Sequence, residues 1–233
     1  MKTIIQANKI IKTFKNGEIE TPVLRGVDLS VREGEFLSIM GRSGAGKSTL
    51  MYQLSLLDDP TSGNLNIDGV DVLKLSNKQK TNFRLEYLGY VFQDYALVPE
   101  LTAVENVSLP LLMRGVEPKE AFKKSEEILN ELDLRHHSSN LPSQLSGGEQ
   151  QRVSIARAIV DEPKIIFSDE PTANLDSVSA RIVIDILKKL NKKGQTIIMV
   201  THEEEYGAET DRIIRLSEGL IEKEEILNKS KFV

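Results

Sequence analysis

The residues best able to do chemistry sit in one run, Gly41-Arg42-Ser43-Gly44-Ala45-Gly46-Lys47-Ser48, followed by Thr49. Glycines at that spacing let the backbone curl so that successive N–H groups point inward, and the helix that follows adds its positive end. The chemistry is the cradling of a polyphosphate: Lys47 supplies a cation to the outer phosphates, and Ser48 is placed to ligate magnesium. A second candidate is the pair Asp169-Glu170, which closes the apolar run 164–168. Asp169 can hold magnesium through water, and Glu170 can polarise a water for in-line attack on phosphorus. By itself such a pair reads as a turn or a helix start; beside a phosphate loop it reads as catalytic.

These residues need elements to position them. Strand-like stretches recur at 4–11, 23–31, 36–40 and 65–67, separated by the turn signals Asn16-Gly17, Glu33-Gly34 and Ser62-Gly63. The phosphate loop follows the strand 36–40 directly, and a helix is expected from Lys47. From about 101 to 160 the pattern turns helical, with amphipathic spacing at 118–132 and 148–160. Short apolar strands return at 164–168, 196–200 and 212–216, with a helix over 178–192, an order that implies a parallel sheet carrying helices. The 233 residues suit one large α/β unit carrying a small lobe, with 228–233 expected to be a frayed tail. No apolar run approaches the roughly 20 residues that cross a bilayer, and the N-terminus lacks the apolar stretch of a secretory signal. With no cysteine there are no disulfides, and a net charge of −5 argues against a general binder of nucleic acid.

Leu145-Ser146-Gly147-Gly148-Glu149-Gln150-Gln151-Arg152 resembles the signature sequence that defines ABC ATPases, and it lies just upstream of the acidic strand. Gln93 resembles the family's Q-loop glutamine, Asn174-Leu175-Asp176 its D-loop, and His202, after the strand 196–200, its switch histidine. Five motifs in the family's order cover the chain from about Phe14 to His202. The resemblance implies a P-loop NTPase (RecA-like) core with an antiparallel β subdomain and an inserted α-helical subdomain, the core at about 1–93 and 161–227 and the helical part at about 94–160. It implies ATP and Mg2+ as ligands, the metal held by Ser48, Gln93 and Asp169, with Glu170, His202, Lys47 and Gln93 catalytic. Phe14 stands where relatives stack an aromatic residue on adenine, with Val23 beside it. Ser146, Gly147, Gly148 and Glu149 are implied to close over ATP bound by a second copy, across an interface that includes Asp176.

Phe14 replaces the usual Tyr, Arg42 a common Pro, Ser168 a usually apolar residue and Glu149 the commoner Gln, and none of these removes a catalytic part. Asp176 also suits the N-cap of the helix 178–192. His136 and His137, adjacent in sequence, are assigned to a solvated loop. The segment between phosphate loop and signature is too short for the long coiled coil of chromosome-maintenance relatives, and the chain has room for one cassette, unlike translation-factor relatives. The expected function is an ATPase subunit on the cytoplasmic face of the cell membrane, driving a separate permease of the lipoprotein-release or macrolide-export group. An importer of the amino-acid or methionine type and a soluble ABC ATPase are the alternatives.

Overall fold

The computed structural model describes residues 2–17 and 19–228. In chain order the strands and α-helices are β1 (Thr3–Asn16), β2 (Ile19–Arg32), β3 (Phe36–Met40), α1 (Lys47–Leu54), β4 (Ser62–Ile67), β5 (Val70–Asp71), α2 (Asn77–Tyr87), β6 (Leu88–Val91), α3 (Ala103–Met113), α4 (Pro118–Glu131), α5 (Gly147–Ile159), β7 (Ile165–Asp169), α6 (Ser177–Lys192), β8 (Thr196–Val200), α7 (Glu204–Gly207), β9 (Arg212–Ser217) and β10 (Leu220–Ile226). They fall into two compact units, one formed by the described residues up to Thr81 together with those from Asn191 on, the other by Asn82–Leu190. The expected helical segment, 94–160, lies within the second.

The first unit carries two sheets. One is antiparallel, in the order β2-β1-β4-β5. In its long β1–β2 hairpin Val27, Leu29 and Val31 are buried while Asp28 and Ser30 between them are exposed, the period-two pattern of a sheet with one packed face. In the other, β10, β9, β3 and β8 are successive neighbours. There β3 runs parallel to both β8 and β9. FLSIM and TIIMV are buried at every position, as strands covered on both faces must be, which is why they read as near-continuous apolar runs, broken only by the buried Ser38 and opened by Thr196. Leu50, Met51 and Leu54 of α1 are fully buried in this core, each such side chain contributing about 1.5–3 kcal/mol. Arg212, nearly buried on β9, is neutralised by Glu35 at 2.6 Å and Glu224 at 2.9 Å.

In the second unit β6 and β7 pair in parallel, and α3, α4 and α5 pack on one another, α5 also against β6. Thr102 and Glu105 form a reciprocal capping box that starts α3, and Pro118 occupies the first turn of α4. Gly89 in β6 is required by close approach, because a Cβ there would collide with the Ala158 carbonyl oxygen of α5.

Two expectations meet the structure differently. Of the tail, residues 229–233 lie outside the described residues, while Asn228 is held by Asp211, its Nδ2 donating to Oδ1 at 2.9 Å. His136 is exposed, but His137, with 36% of its side chain exposed, is only half solvated: its Nε2 is 3.2 Å from Glu149 Oε1 and its Nδ1 is buried. The 3-10 turn Arg135–His137 folds this ring back toward α5, a long-range contact that adjacency in sequence could not reveal.

Candidate nucleotide site

In the first unit the phosphate loop springs from the carboxyl end of β3, the side of a parallel sheet where ligands bind. Gly41 has φ 150°, and a Cβ on it would collide with the Leu216 carbonyl oxygen on β9. Only glycine lets the chain leave the sheet so close to its neighbour. Gly46, at φ 100°, caps α1 without any side-chain bond to the helix's free N–H groups. With no acidic residue in that first turn, the positive end of α1 faces the loop uncompensated. Inside the loop Ala45 N–H donates to the Arg42 carbonyl at 3.1 Å, and Gly219 N–H donates to the Ala45 carbonyl at 3.1 Å, tying the loop to the β9–β10 turn. Lys47 is buried, and its Nζ donates to the Arg42 carbonyl at 3.3 Å, holding the ammonium across the mouth of the cradle. Arg42, Ser43 and Gly44 are exposed, and Ser48 and Thr49 half-buried.

Three other expected residues belong to this unit. A Cβ on Gly46 would lie 3.1 Å from the Val23 carbonyl oxygen, so Val23 borders the loop. Phe14, paired with Thr21 in the hairpin, leaves 47% of its surface free, and Lys12 Nζ is 5.0 Å from its ring centroid. That is an open aromatic face with a cation nearby, suited to stacking. The register Ile39↔Val200 and the bond from Thr201 N–H to the Ile39 carbonyl carry His202 to the same sheet edge as Gly41, with its side chain exposed.

In the second unit the register Val91↔Ser168 likewise brings Gln93 and the pair Asp169-Glu170 to one edge. Asp169 is buried at the end of β7. Glu170 follows at φ 45°, a left-handed conformation costly for a side chain with a Cβ and found mostly where function demands it. Behind Gln93 the chain turns through Tyr95 and Ala96, at φ 60° and 49°. That turn is clamped: Arg157 of α5 donates to the Ala96 carbonyl at 2.7 Å and the Tyr95 carbonyl at 3.0 Å, and Asn174 Nδ2 donates to the Gln93 carbonyl at 3.2 Å. Burial without a carboxylate partner pulls the Arg157 guanidinium below its ordinary value.

The signature run lies at the start of α5. Ser146 is its N-cap: Ser146 Oγ accepts from Glu149 N–H at 3.4 Å, while Glu149 Oε2 accepts from Ser146 N–H at 2.7 Å and from its hydroxyl at 2.8 Å. These bonds, with His137 nearby, hold the Glu149 carboxyl below its ordinary range. A Cβ on Gly147 would lie 2.8 Å from Tyr95 Oη, and one on Gly148 2.7 Å from Ser179 Oγ, so both positions are small because neighbours press on them. Asp176 caps α6, its Oδ1 accepting from the N–H groups of Val178 and Ser179 at 3.0 Å each and its Oδ2 from Ser179 Oγ at 2.7 Å. Those bonds hold its carboxyl below the ordinary value.

The second unit thus gathers Gln93, Asp169 and Glu170 at one strand edge, with the signature glycines and the D-loop tied together through Tyr95 and Ser179. Sequence reasoning passed over Tyr95, Arg157 and Ser179, and gave His137 no part in the site. The helical period puts Arg157 three turns beyond Ser146 on α5, but its target carbonyls, some 60 residues earlier in the chain, carry no sequence signal.

The whole pattern matches known proteins. The family model described as "ABC transporter" matches residues 24–173. The chain is 47% identical over 221 residues to the lipoprotein-releasing system ATP-binding protein LolD of Aquifex aeolicus, covering 95% of this chain and 97% of that one. It is 45% identical to the macrolide export ATP-binding/permease protein MacB of Syntrophobacter fumaroxidans over 95% of this chain, spanning only 31% of that longer relative. Among solved structures, the dimeric post-hydrolysis state of the ATP-binding cassette MJ0796 bound to ADP and Pi matches with a TM-score of 0.90 and 41% identity, over 96% of this chain and 99% of that chain. A phosphate cradle, a carboxylate pair at a strand edge and a capped signature helix therefore lie on a chain that belongs to the ABC transporter family, as one of its ATP-binding, ATP-hydrolysing subunits.

Proposed function

We propose that this chain supplies energy to a membrane permease on a separate polypeptide, in an export, lipoprotein-release or mechanically acting system, and that it does so as a head-to-tail pair. The observation that carries this reading is the 47% identity extending over 95% of this chain and 97% of the LolD relative. The likeness is to a lone cassette, whereas a cassette of this kind fills about a third of a MacB relative whose name includes a permease. Among the described residues no helix is long and apolar enough to cross a membrane, so attachment to the cytoplasmic face is assigned to the permease. Its seat is a groove of about 240 Å³ lined by Leu88, Tyr90, Phe92, Pro110, Pro163 and Arg157, immediately before and after Gln93 in the fold. A largely apolar wall that also carries Arg157 and Asp161 suits the end of a partner's helix.

In each copy the N–H groups of residues 41–49 and Lys47 hold the phosphates of ATP, with Phe14 and Val23 against the base. Glu170 takes a proton from the water whose oxygen attacks the γ-phosphorus, as the bond to the leaving ADP oxygen breaks. Gln93 and His202 contact the γ-phosphate region. Ser146, Gly147, Gly148 and Glu149 of the second copy close over the same nucleotide, and Asp176 lies in the interface. Ser48, Gln93 and Asp169 are the proposed ligands for Mg2+; hydroxyl, amide and carboxylate oxygens are the hard donors this ion prefers. When bound, the ion neutralises charge on the phosphates. The segment 94–160 is the proposed helical lobe.

Purification of the tagged chain from membranes in mild detergent tests the partnership. A multi-span permease is expected in fixed stoichiometry, and ATPase activity rises when the two are reconstituted. Recovery of the chain alone, or with ribosomes or DNA, refutes it.

A further inference from the structure

We infer that His137 is a positioning residue for the signature serine: acting through Glu149, it sets whether the Ser146 hydroxyl faces inward or is free to meet a phosphate, and its protonation favours the second state. The inference rests on the reading that α5 of one copy closes over ATP held by the other.

The geometry is a relay of three side chains. Ser146 spends its hydroxyl proton on Glu149 Oε2 at 2.8 Å, and the same oxygen takes the Ser146 N–H at 2.7 Å. A hydroxyl whose proton is committed to a carboxylate offers an anion only lone pairs, and the carboxylate itself sets a negative charge in the first turn of the helix whose N–H groups would receive the phosphate. The other oxygen, Oε1, lies 3.2 Å from His137 Nε2. When the imidazole gains a proton, the cation draws Glu149 toward Oε1 and cancels its field. The hold of Oε2 on the Ser146 hydroxyl weakens, and the helix end becomes net receptive to an anion.

Charged groups stand on each element that meets this turn. On α5 they are Glu149, Arg152, whose charge already acts on Glu149, and Arg157, committed to the Tyr95 and Ala96 carbonyls. Glu105, in the first turn of α3, is committed to Thr102 at 2.7 Å; α4, which meets the turn, carries the pairs Lys124–Glu120 and Lys123–Glu127 with Lys119, Glu126 and, at its end, Glu131. Arg135 and His136 share the turn with His137. Of the ion pairs found among the described residues, His137 makes one, with Glu149.

The test is ATP-driven pairing of the Glu170→Gln chain, followed by sedimentation from about pH 8 to about pH 6, the range over which imidazoles change charge. Residue 137 is His, Gln or Arg. Phosphates also titrate in this range, so the readout is the difference between variants at each pH. His137→Arg is expected to pair tightly throughout and His137→Gln weakly throughout, with half-saturating ATP roughly three- to tenfold apart. The histidine chain crosses from the Gln-like to the Arg-like curve as pH falls. A merely structural His137 would move the Tm of the variants and leave the three curves parallel, which overturns the inference. Absence of pairing at every pH in all three chains overturns the two-copy reading, and the inference with it.

Discussion

The signature glycines provide the sharpest test of the packing. A Cβ added at Gly148 would lie 2.7 Å from Ser179 Oγ and 2.9 Å from Ser179 Cβ, against the 3.5–4.0 Å at which carbon atoms rest, so something must move by about 1 Å. Ser179 is a poor candidate to move, because its N–H and hydroxyl are both engaged by Asp176. Overpacking of this kind costs about 1–3 kcal/mol, while Gly to Ala inside a helix returns up to about 1 kcal/mol. Gly148→Ala is therefore expected to destabilise by about 1–2 kcal/mol, a fall in Tm of roughly 2–8 °C for a chain of this size. The decisive assay is a double-mutant cycle in denaturant with Ser179→Gly, which removes both clashing atoms. Coupling of at least about 1 kcal/mol is expected, with ATP-driven pairing of the Glu170→Gln chain weakened in Gly148→Ala and recovered in the double variant. Additive effects within about 0.5 kcal/mol would refute the claim that Ser179 is why position 148 must be small.

Glu170→Gln alone is expected to bind ATP normally and to hydrolyse it about two to three orders of magnitude more slowly, since an amide cannot accept the water's proton; near-normal turnover would reject Glu170 as the base. Arg157→Lys cannot span both the Tyr95 and Ala96 carbonyls, so hydrogen exchange over residues 93–96 is expected to quicken while that of α5 stays slow; unchanged exchange would dismiss the clamp. Asp176 stabilises α6 as a carboxylate, its folded value lying below the ordinary 3.8. Its contribution is thus complete above that ordinary value and lost as pH falls through the lower folded one. Asp176→Ala is expected to lower Tm at pH 7 but to match the parent at the acid extreme, and a Tm difference independent of pH would contradict the sign.

Much of the site was legible because its chemistry is local. Gly41 to Ser48 must be contiguous for N–H groups to converge on one phosphate chain, so the motif survives in one dimension. Asp169-Glu170 is likewise announced by the apolar strand that ends in it. The strands FLSIM and TIIMV were visible for the same kind of reason, since burial on both faces favours a near-continuous apolar run. Polar, short or late elements were not: α2, rich in Lys, Asn and Gln, and β10, LIEKEEI, show neither period clearly. They are held by neighbours, β10 by its ladder with β9.

By itself the sequence determined the phosphate cradle, the carboxylate pair, the Asp176 cap and the α/β class, because each depends on residues adjacent in the chain or on a burial pattern repeated along one strand. Only the tertiary structure decided why Gly147 and Gly148 cannot carry side chains, what holds the turn after Gln93, and that one edge of His137 meets Glu149. Those facts rest on contacts between residues 12 to more than 60 positions apart, brought together by packing of helices and turns, and a close approach across that distance leaves no mark on either partner's neighbours in sequence.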